Sequence, residues 1–240
     1  MKKYILGVKI DDIKIDQALE MVHDWLGSKK KYYIVTPNPE IIMAAQKDLG
    51  YRKLLNDADL SIPDGVGLKL SGQVKNTFAG VDFMEELIKH LSDWGATIGL
   101  LGGKNGVADR AAKCLRTKYP GVNIIFVESG GEVDEGGNML SDYRLPTTAE
   151  DSRQKTVDLL FVAFGPPKQE KWIAQNIDKL DVKVAMSVGG SFDYISGDIP
   201  RAPRIVRALG FEWLFRLIVQ PWRIKRQLSL LKYVLLLMFK

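Results

Sequence analysis

The chain has 240 residues, 46% of them hydrophobic and 26% charged, an ordinary globular composition that fits one large domain or a domain with an appendage. The single cysteine, Cys114, excludes an internal disulfide framework, and we expect a small buried thiol rather than a nucleophile. The net charge is +5, but residues 201–240 carry nine Lys/Arg and one acid, so the first 200 residues carry −3 and the tail +8, which predicts an anionic partner for the tail.

Apolar runs alternate with helical patterns along the first 200 residues. The run "YILGVKI" is too short and too quickly followed by charge for a secretory signal, which favours a cytoplasmic location. It precedes a helical pattern with Asp16 as N-cap and Gly27 as stop. The run "YYIVT" then leads into "NPEIIMAAQKD", and "ADLSIPDG" into a helix from about Val81 to Trp94.

Four more apolar runs follow, "TIGLLGG", "VNIIFVE", "VDLLFVAFG" and "VKVAMSVGG", most of them leading into helical patterns. Strands of continuous apolar character, each followed by a helix, are typical of a parallel sheet covered on both faces. We therefore predict an α/β fold for residues 1–200, a Rossmann-like parallel sheet sandwiched by helices. Residues 129–156 contain few apolar residues and no clear period, which predicts a long surface excursion.

The last 40 residues, 201–240, are predicted to be a basic, apolar helical appendage. One helix is expected from Arg204 to Gln220, and a second follows the break at Pro221. The apolar end of the second helix is too short to span a bilayer, which needs about 20 apolar residues. Aromatic side chains interleaved with Arg and Lys instead favour a helix lying on the cytoplasmic membrane surface. The alternative is that the two helices pack on the body or on another subunit, giving a homo-oligomer.

In an open parallel sheet, ligands bind outside the carboxyl ends of the strands. The residues that follow the predicted strands include Thr36 and Asn38, Asp64 and Gly65, Gly102 and Gly103, Lys168 to Glu170, and Gly190. Glycines there let phosphates approach backbone N–H groups at helix N-termini, which indicates a nucleotide or sugar-nucleotide site. Asp64 either closes a turn or supplies the carboxylate that does the chemistry.

Metal chemistry is poorly supported by the sequence. His23 and His90 lie within amphipathic helical patterns, and the chain has neither a Cys/His cluster nor a DxD triplet. We therefore expect no metal and no cofactor, with the charge of a diphosphate neutralised by helix N-termini and by Arg or Lys.

Six blocks occur in order across nearly the whole chain: "TPNPE" at 36–40, "DLSIPDGVG" at 59–67, "LLGG" followed by "GVA", "LFVAFGPPKQEKWI" at 160–173, "VGGSFDYISG" at 188–197 and "RAP…LGFEWLFRLI…PWRIKR" at 201–226. Together they resemble the WecG/TagA/CpsF family of bacterial glycosyltransferases (glycosyltransferase family 26). The resemblance implies a metal-independent, inverting transferase that moves an N-acetylmannosamine-type sugar from a UDP-sugar donor to N-acetylglucosamine on undecaprenyl diphosphate. Such enzymes act at the cytoplasmic membrane face in teichoic acid or surface-polysaccharide synthesis.

The resemblance also implies roles for particular residues. Asp64 would be the catalytic base with Thr36 close by, and Lys168, Gln169 and Glu170 would contribute to the substrate pocket. Arginines of the appendage would reach the diphosphate, and Arg216, Arg223 and Arg226 share one helical face if the break at Pro221 is mild. Contact with lipid headgroups is the alternative role for these three arginines.

Two alternative functions are also considered, one from a departure from the family pattern and one from the basic tail. The stretch after "PDGVG" is shorter than in the family, with Thr77 where the family has an arginine, which motivates a catalytically impaired sugar-nucleotide-binding or scaffold protein of the same pathway. Nucleic-acid binding by the basic tail is disfavoured, because the tail ends in a largely apolar stretch.

Overall fold

The computed structural model describes residues 1–140 and 156–239, with the side chains of all of these except residues 223 and 225–227. Within this part of the chain the strands are β1 (Lys2–Ile5), β2 (Val8–Asp11), β3 (Tyr32–Val35), β4 (Leu60–Ser61), β5 (Thr97–Gly102), β6 (Asn123–Glu128), β7 (Val157–Ala163) and β8 (Val182–Ser187). The α-helices are α1 (Ile15–Leu26), α2 (Pro39–Ala45), α3 (Leu49–Asp57), α4 (Gly80–Asp93), α5 (Val107–Lys118), α6 (Lys168–Asn176), α7 (Ser191–Ile195), α8 (Arg204–Ala208), α9 (Glu212–Val219) and α10 (Ile224–Met238). Short 3₁₀ helices cover Val66–Ser71, Ile177–Lys179 and Pro221–Arg223.

The body is built on a six-stranded parallel sheet with strand order β4-β3-β8-β7-β5-β6. One face packs on α1, α4, α5 and α7, and the other on the β1–β2 hairpin, α2, α3, α6 and α10. Central strands such as β5 are buried along their whole length because helices cover both faces, which is why they appear in the sequence as continuous apolar runs. The predicted α/β Rossmann-like architecture is confirmed.

Several local predictions were wrong in detail. The first apolar run forms two antiparallel strands, since the chain reverses at Leu6 and Gly7, which both have positive φ. The first long helix begins after Lys14 rather than Asp16, and it ends at Gly27 as predicted. Cys114 is exposed, because α5 turns Ala111, Ala112 and Leu115 toward the core and leaves residue 114 on the outer face.

The appendage is divided more finely than the sequence predicts. The expected helix from Arg204 to Gln220 is two helices, α8 and α9, because Gly210 adopts a φ of +78° between them. A 3₁₀ turn at Pro221 then separates α9 from α10, so Arg216, Arg223 and Arg226 lie on three successive elements rather than on one continuous helix. No helix in the described residues is long and apolar enough to cross a membrane.

The surface excursion predicted for residues 129–156 is described as far as residue 140. This part contains a tight turn, in which Asp134 accepts hydrogen bonds from the backbone N–H groups of Gly137, through its carbonyl, and of Asn138, through Oδ1. Residues 141–155 lie outside the described part of the chain.

Candidate active site

Asp64 lies at the carboxyl edge of the sheet, between the loop that follows β3 and the start of α4. Its backbone N–H donates to the carbonyl of Pro37 at 3.1 Å. Its Oδ1 accepts a hydrogen bond of 3.0 Å from the N–H of Gly80, the first residue of α4. The helix N-terminus provides both a donor and a positive electrostatic end for this carboxylate.

Burial raises the pKa of Asp64 to about 6. Hydrogen bonds from Gly80 and the Asn38 side chain oppose this rise, the charge of Glu212 adds to it, and the charge of Arg216 opposes it. A carboxyl group with this pKa is largely ionised at neutral pH and is still basic enough to accept a proton. Asp64 therefore has the protonation behaviour of a general base.

Thr36 and Asn38 follow β3, the strand adjacent to β4. Thr36 is buried, its hydroxyl donates to the carbonyl of Ser187 at 3.4 Å, and its Cγ2 would lie only 3.3 Å from a Cβ at position 80. Asn38 caps α2 by accepting a hydrogen bond of 3.0 Å from the N–H of Ile41. The structure thus brings Thr36, Asn38 and Asp64 together, as expected for polar groups at the ends of adjacent parallel strands.

Of the glycines predicted at the strand ends, Gly65 has an open backbone, whereas Gly102 and Gly103 are closely packed. Gly65, with a φ of +87°, has open space where a side chain would be, and this leaves its backbone accessible beside Asp64. Gly102 approaches β7 so closely that a Cβ would lie 2.8 Å from the carbonyl carbon of Ala163. Gly103 also has a positive φ and packs against Val107 of α5. Gly102 is therefore required by strand packing.

The side chain of Lys168 forms a hydrogen bond and an ion pair with the surface excursion that follows β6. Its Nζ donates to the carbonyl of Val133 at 2.8 Å and lies 3.4 Å from the carboxylate of Glu135. Two turns further along the same helix, Gln175 donates to the carbonyl of Gly136. Lys168 therefore holds the excursion against α6 in this structure.

Gln169 and Glu170 are almost fully buried, with exposed fractions of 1% and 0%. The Oε1 of Gln169 accepts hydrogen bonds from the N–H groups of Gly165 and Gly189 at 3.1 and 3.0 Å, and so joins the loops that follow β7 and β8. Its Nε2 donates to Glu170 at 2.7 Å, and Glu170 accepts a second bond from the hydroxyl of Tyr51 at 3.1 Å. Burial raises the pKa of Glu170. The hydrogen bonds of both side chains are thus made to other protein groups: Gln169 bonds the two loops and Glu170, and Glu170 bonds Gln169 and Tyr51.

Arg216 approaches the same edge from α9. Its Nη2 would lie 2.8 Å from a Cβ at position 190, so the glycine at 190 makes room for the guanidinium. Its Cζ lies 5.0 Å from the centroid of the Tyr194 ring, within the range of a cation–π contact. The side chains of Arg223 and Arg226 lie outside those that the structure describes.

Sequence reasoning missed three residues beside this site, namely Arg201, Asp82 and Glu212. Arg201 forms ion pairs with both of the others, and Asp82 lies in the first turn of α4, two residues after Gly80. One signal for Glu212 was available, since it is the only acidic residue between 201 and 240. Within residues 1–140 and 156–239 no group of three or more His, Cys, Asp or Glu could hold a metal ion.

Comparisons with known proteins identify the relatives of this chain. The profile described as "Glycosyl transferase WecG/TagA/CpsF family" matches residues 3–240. A Staphylococcus aureus (strain MRSA252) protein named N-acetylglucosaminyldiphosphoundecaprenol N-acetyl-beta-D-mannosaminyltransferase is 34% identical over 98% of this chain and 90% of its own length. A Bacillus subtilis (strain 168) protein of the same name is 34% identical over 84% of this chain and 77% of its own length.

Proposed function

The chain belongs to the WecG/TagA/CpsF family of glycosyl transferases, and from that premise we propose that it transfers N-acetylmannosamine, or a related sugar, from UDP to N-acetylglucosamine carried on undecaprenyl diphosphate. The product would serve teichoic acid linkage-unit or surface-polysaccharide synthesis. The single observation that carries the proposal is Asp64, a carboxylate held at a helix N-terminus on the ligand-binding edge of the sheet, with a pKa raised to about 6. The alternative, a scaffold protein that has lost catalysis, is not favoured.

In the proposed reaction, Asp64 removes the proton from the acceptor hydroxyl as that oxygen attacks the anomeric carbon of the donor. The bond between this carbon and the diphosphate oxygen breaks, and UDP leaves with the electron pair. Attack opposite the leaving group inverts the configuration, and one base suffices for this displacement. Thr36 and Asn38 would fix the acceptor beside Asp64, because both lie at the end of the adjacent strand.

Leaving UDP needs positive charge, which Arg216 is placed to supply from α9. Its guanidinium faces the backbone at Gly190 and the ring of Tyr194, at the same edge as Asp64. We propose that Arg223 and Arg226 contact the diphosphate or lipid headgroups, because both ligands are anionic and both residues are basic. The open backbone at Gly65 would complete the phosphate contacts.

Lys168, Gln169 and Glu170 are proposed to shape the pocket from beneath. Gln169 ties together the N–H groups of two strand-end loops, and Glu170 fixes the orientation of the Gln169 amide by accepting from its Nε2. A rotated amide would lose the acceptor for both loops. These residues would therefore affect substrate binding through the loops that they hold.

Association with the membrane surface is proposed for the appendage, because the acceptor is a lipid. Large apolar side chains on α9, α10 and the turn between them are exposed, among them Ile218, Trp222, Leu231 and Leu235. Aromatic and aliphatic side chains beside Lys and Arg favour binding in the plane of the membrane surface. A second copy of the chain covering the same apolar side chains is the alternative occupant.

The proposal is tested by measuring UDP release from UDP-N-acetylmannosamine in the presence of a soluble prenyl-diphosphate-linked N-acetylglucosamine. We expect transfer by the wild type and a loss of about 10²- to 10⁴-fold for Asp64→Asn, since a general base contributes that much. Calorimetry should show that this variant still binds UDP. Asp57→Asn, which removes a surface carboxylate paired with Lys53, serves as the matched control and should transfer normally.

Two results would contradict the proposal. Equal rates for Asp64→Asn and the wild type would remove the base assignment. Binding of UDP by the wild type without release of UDP from any donor, on addition of acceptor, would instead support the scaffold protein.

A further inference from the structure

The segment formed by α8 and α9 is held to the body in an unusual way. Within the described part of the chain, neither helix contains a buried residue. Apolar packing, which normally fixes a helix on a domain, therefore contributes little to the position of α9. The polar contacts of this segment therefore provide more of its attachment than is usual for a helix on a domain.

Arg201 is at the centre of these contacts. Its Nη1 and Nη2 bind the two carboxylate oxygens of Asp82 at 2.5 and 3.1 Å, a bidentate pairing, and its Nε binds Glu212 at 3.2 Å. Arg207 of α8 reaches the same Asp82 carboxylate at 3.6 Å. The guanidinium of Arg201 also lies 5.9 Å from the centroid of the Tyr194 ring. One half-buried side chain thus touches α4, α7 and α9.

The three residues occupy positions that matter for the candidate site. Asp82 lies in the same first turn of α4 as Gly80, whose N–H binds Asp64. Glu212 is the first residue of α9, and Arg216 follows it by four residues, so the two lie on the same face of that helix. Fixing Glu212 therefore fixes the orientation of the helix face from which Arg216 projects.

We propose that Arg201 is a positioning residue that clamps α9 across the carboxyl edge of the sheet, through Asp82 and Glu212, so that Arg216 faces Asp64 and the leaving diphosphate. The clamp is inferred from the contacts of Arg201 with Asp82 and Glu212, whereas its effect on catalysis rests on the proposed function. Among the described residues Arg201 contacts Asp82, Glu212 and the ring of Tyr194, and its effect on the reaction would pass through Arg216. Its removal should free α9 and leave α10 in place.

The clamp is tested by measuring distances between spin labels. The single native cysteine, Cys114, is exposed on α5 and serves as one label site, with Ile218→Cys on α9 as the other. A second doubly labelled protein pairs Cys114 with Leu235→Cys on α10 as the internal control. We expect Arg201→Ala to broaden the 114–218 distance distribution and to leave the 114–235 distribution unchanged.

Activity is measured in parallel on unlabelled protein. Arg201→Ala should lower kcat/KM about 100-fold, because misplacement of a catalytic group by about 1 Å can cost that much. The double variant Arg201→Ala with Asp82→Asn loses only one further contact, that of Arg207 with Asp82, so it should be little worse than Arg201→Ala alone. Lys118→Ala breaks another surface ion pair of α4, with Glu85, and is the matched control with normal activity.

Each outcome decides the proposal. An unchanged 114–218 distribution in Arg201→Ala would overturn the clamp whatever the activity, and broadening of both distributions would show general loosening and overturn it too. Broadening confined to 114–218 with normal transfer would remove the positioning role. If even the wild type fails to transfer sugar, the proposed function fails, and the clamp is judged by the distances alone.

Discussion

Two neighbouring parts of the appendage, α9 and α10, are attached to the same body by different forces. α9 is held by ion pairs and by the contact of Arg216 with Tyr194, and it buries no residue within the described part of the chain. α10 packs on α2, and its Tyr233 is fully buried in the apolar cluster that contains Val35, Ile42 and Leu68. The helix nearer to Asp64, α9, is thus attached through charged side chains, whereas α10 is attached through apolar packing.

This difference has consequences for stability. Ion pairs that remain partly exposed contribute little individually and weaken with salt, whereas a buried aromatic side chain contributes several kcal/mol. Local opening should therefore occur at α9 before α10. A helix that can leave the sheet edge while its neighbour stays docked would let substrates enter without unfolding the appendage.

The largest effect is expected from Tyr233. Truncation by Tyr233→Ala should lower the free energy of unfolding by about 3 kcal/mol, as for other buried aromatic residues. Tyr233→Phe is the matched control, because the hydroxyl has no hydrogen-bond partner among the described residues, and it should be neutral or slightly stabilising. Urea unfolding measures both. Equal stability of the two variants would show that α10 is not held by apolar packing.

The next effect concerns the outer side of α10. Leu231 and Leu235 are exposed and four residues apart, so they lie on one face of the helix. Replacing both with Glu should weaken flotation with anionic liposomes roughly 100-fold, since each buried Leu is worth about 1.5 kcal/mol or more. Leu49→Glu, an equally exposed site on α3, should float like the wild type. Undiminished flotation of the double variant would remove α10 from the membrane contact.

The smallest effect is a pair of opposite shifts in pH dependence. With the pKa of Asp64 at about 6, kcat/KM should fall as the pH drops below this value and Asp64 becomes protonated. Glu212 raises this pKa and Arg216 lowers it, so Glu212→Gln should move the acidic limb of the profile to lower pH and Arg216→Gln should move it to higher pH. Glu85→Gln on α4 is the control. If neither variant shifted the acidic limb, α9 would not face Asp64.

Much of the fold and part of the site could be predicted from sequence. Continuous apolar runs followed by helices identified the parallel sheet, and the shared edge of parallel strands implied that Thr36 and Asp64 lie close together. The exposure of Cys114 could also have been predicted from the local pattern. Ala111, Ala112 and Leu115 mark the inner face of α5, which leaves residue 114 on the outer face. We expected Cys114 to be buried because free cysteine is usually buried, and this general preference was given more weight than the periodicity of the helix.

The remaining features depend on long-range contacts that local patterns do not encode. Arg201 and Asp82 are 119 residues apart, and Gln169 bonds Gly189 on a different strand end. Gly210 looked like one residue of a continuous helix, but its left-handed conformation turns the chain, and so α9 begins in a new direction. Nothing in the spacing of Lys168 indicates that its partner is the backbone of the excursion after β6.

The close approach of Gly80 to Thr36 links two properties that would otherwise be independent. A methyl group at position 80 would lie 3.3 Å from Cγ2 of Thr36, so a larger residue there requires Thr36 or the first turn of α4 to shift by a few tenths of an ångström. That turn carries both the N–H bonded to Asp64 and the carboxylate of Asp82. An inherited change at this glycine that shifts the turn would therefore alter the basicity of Asp64 and the attachment of α9 together, in a single step.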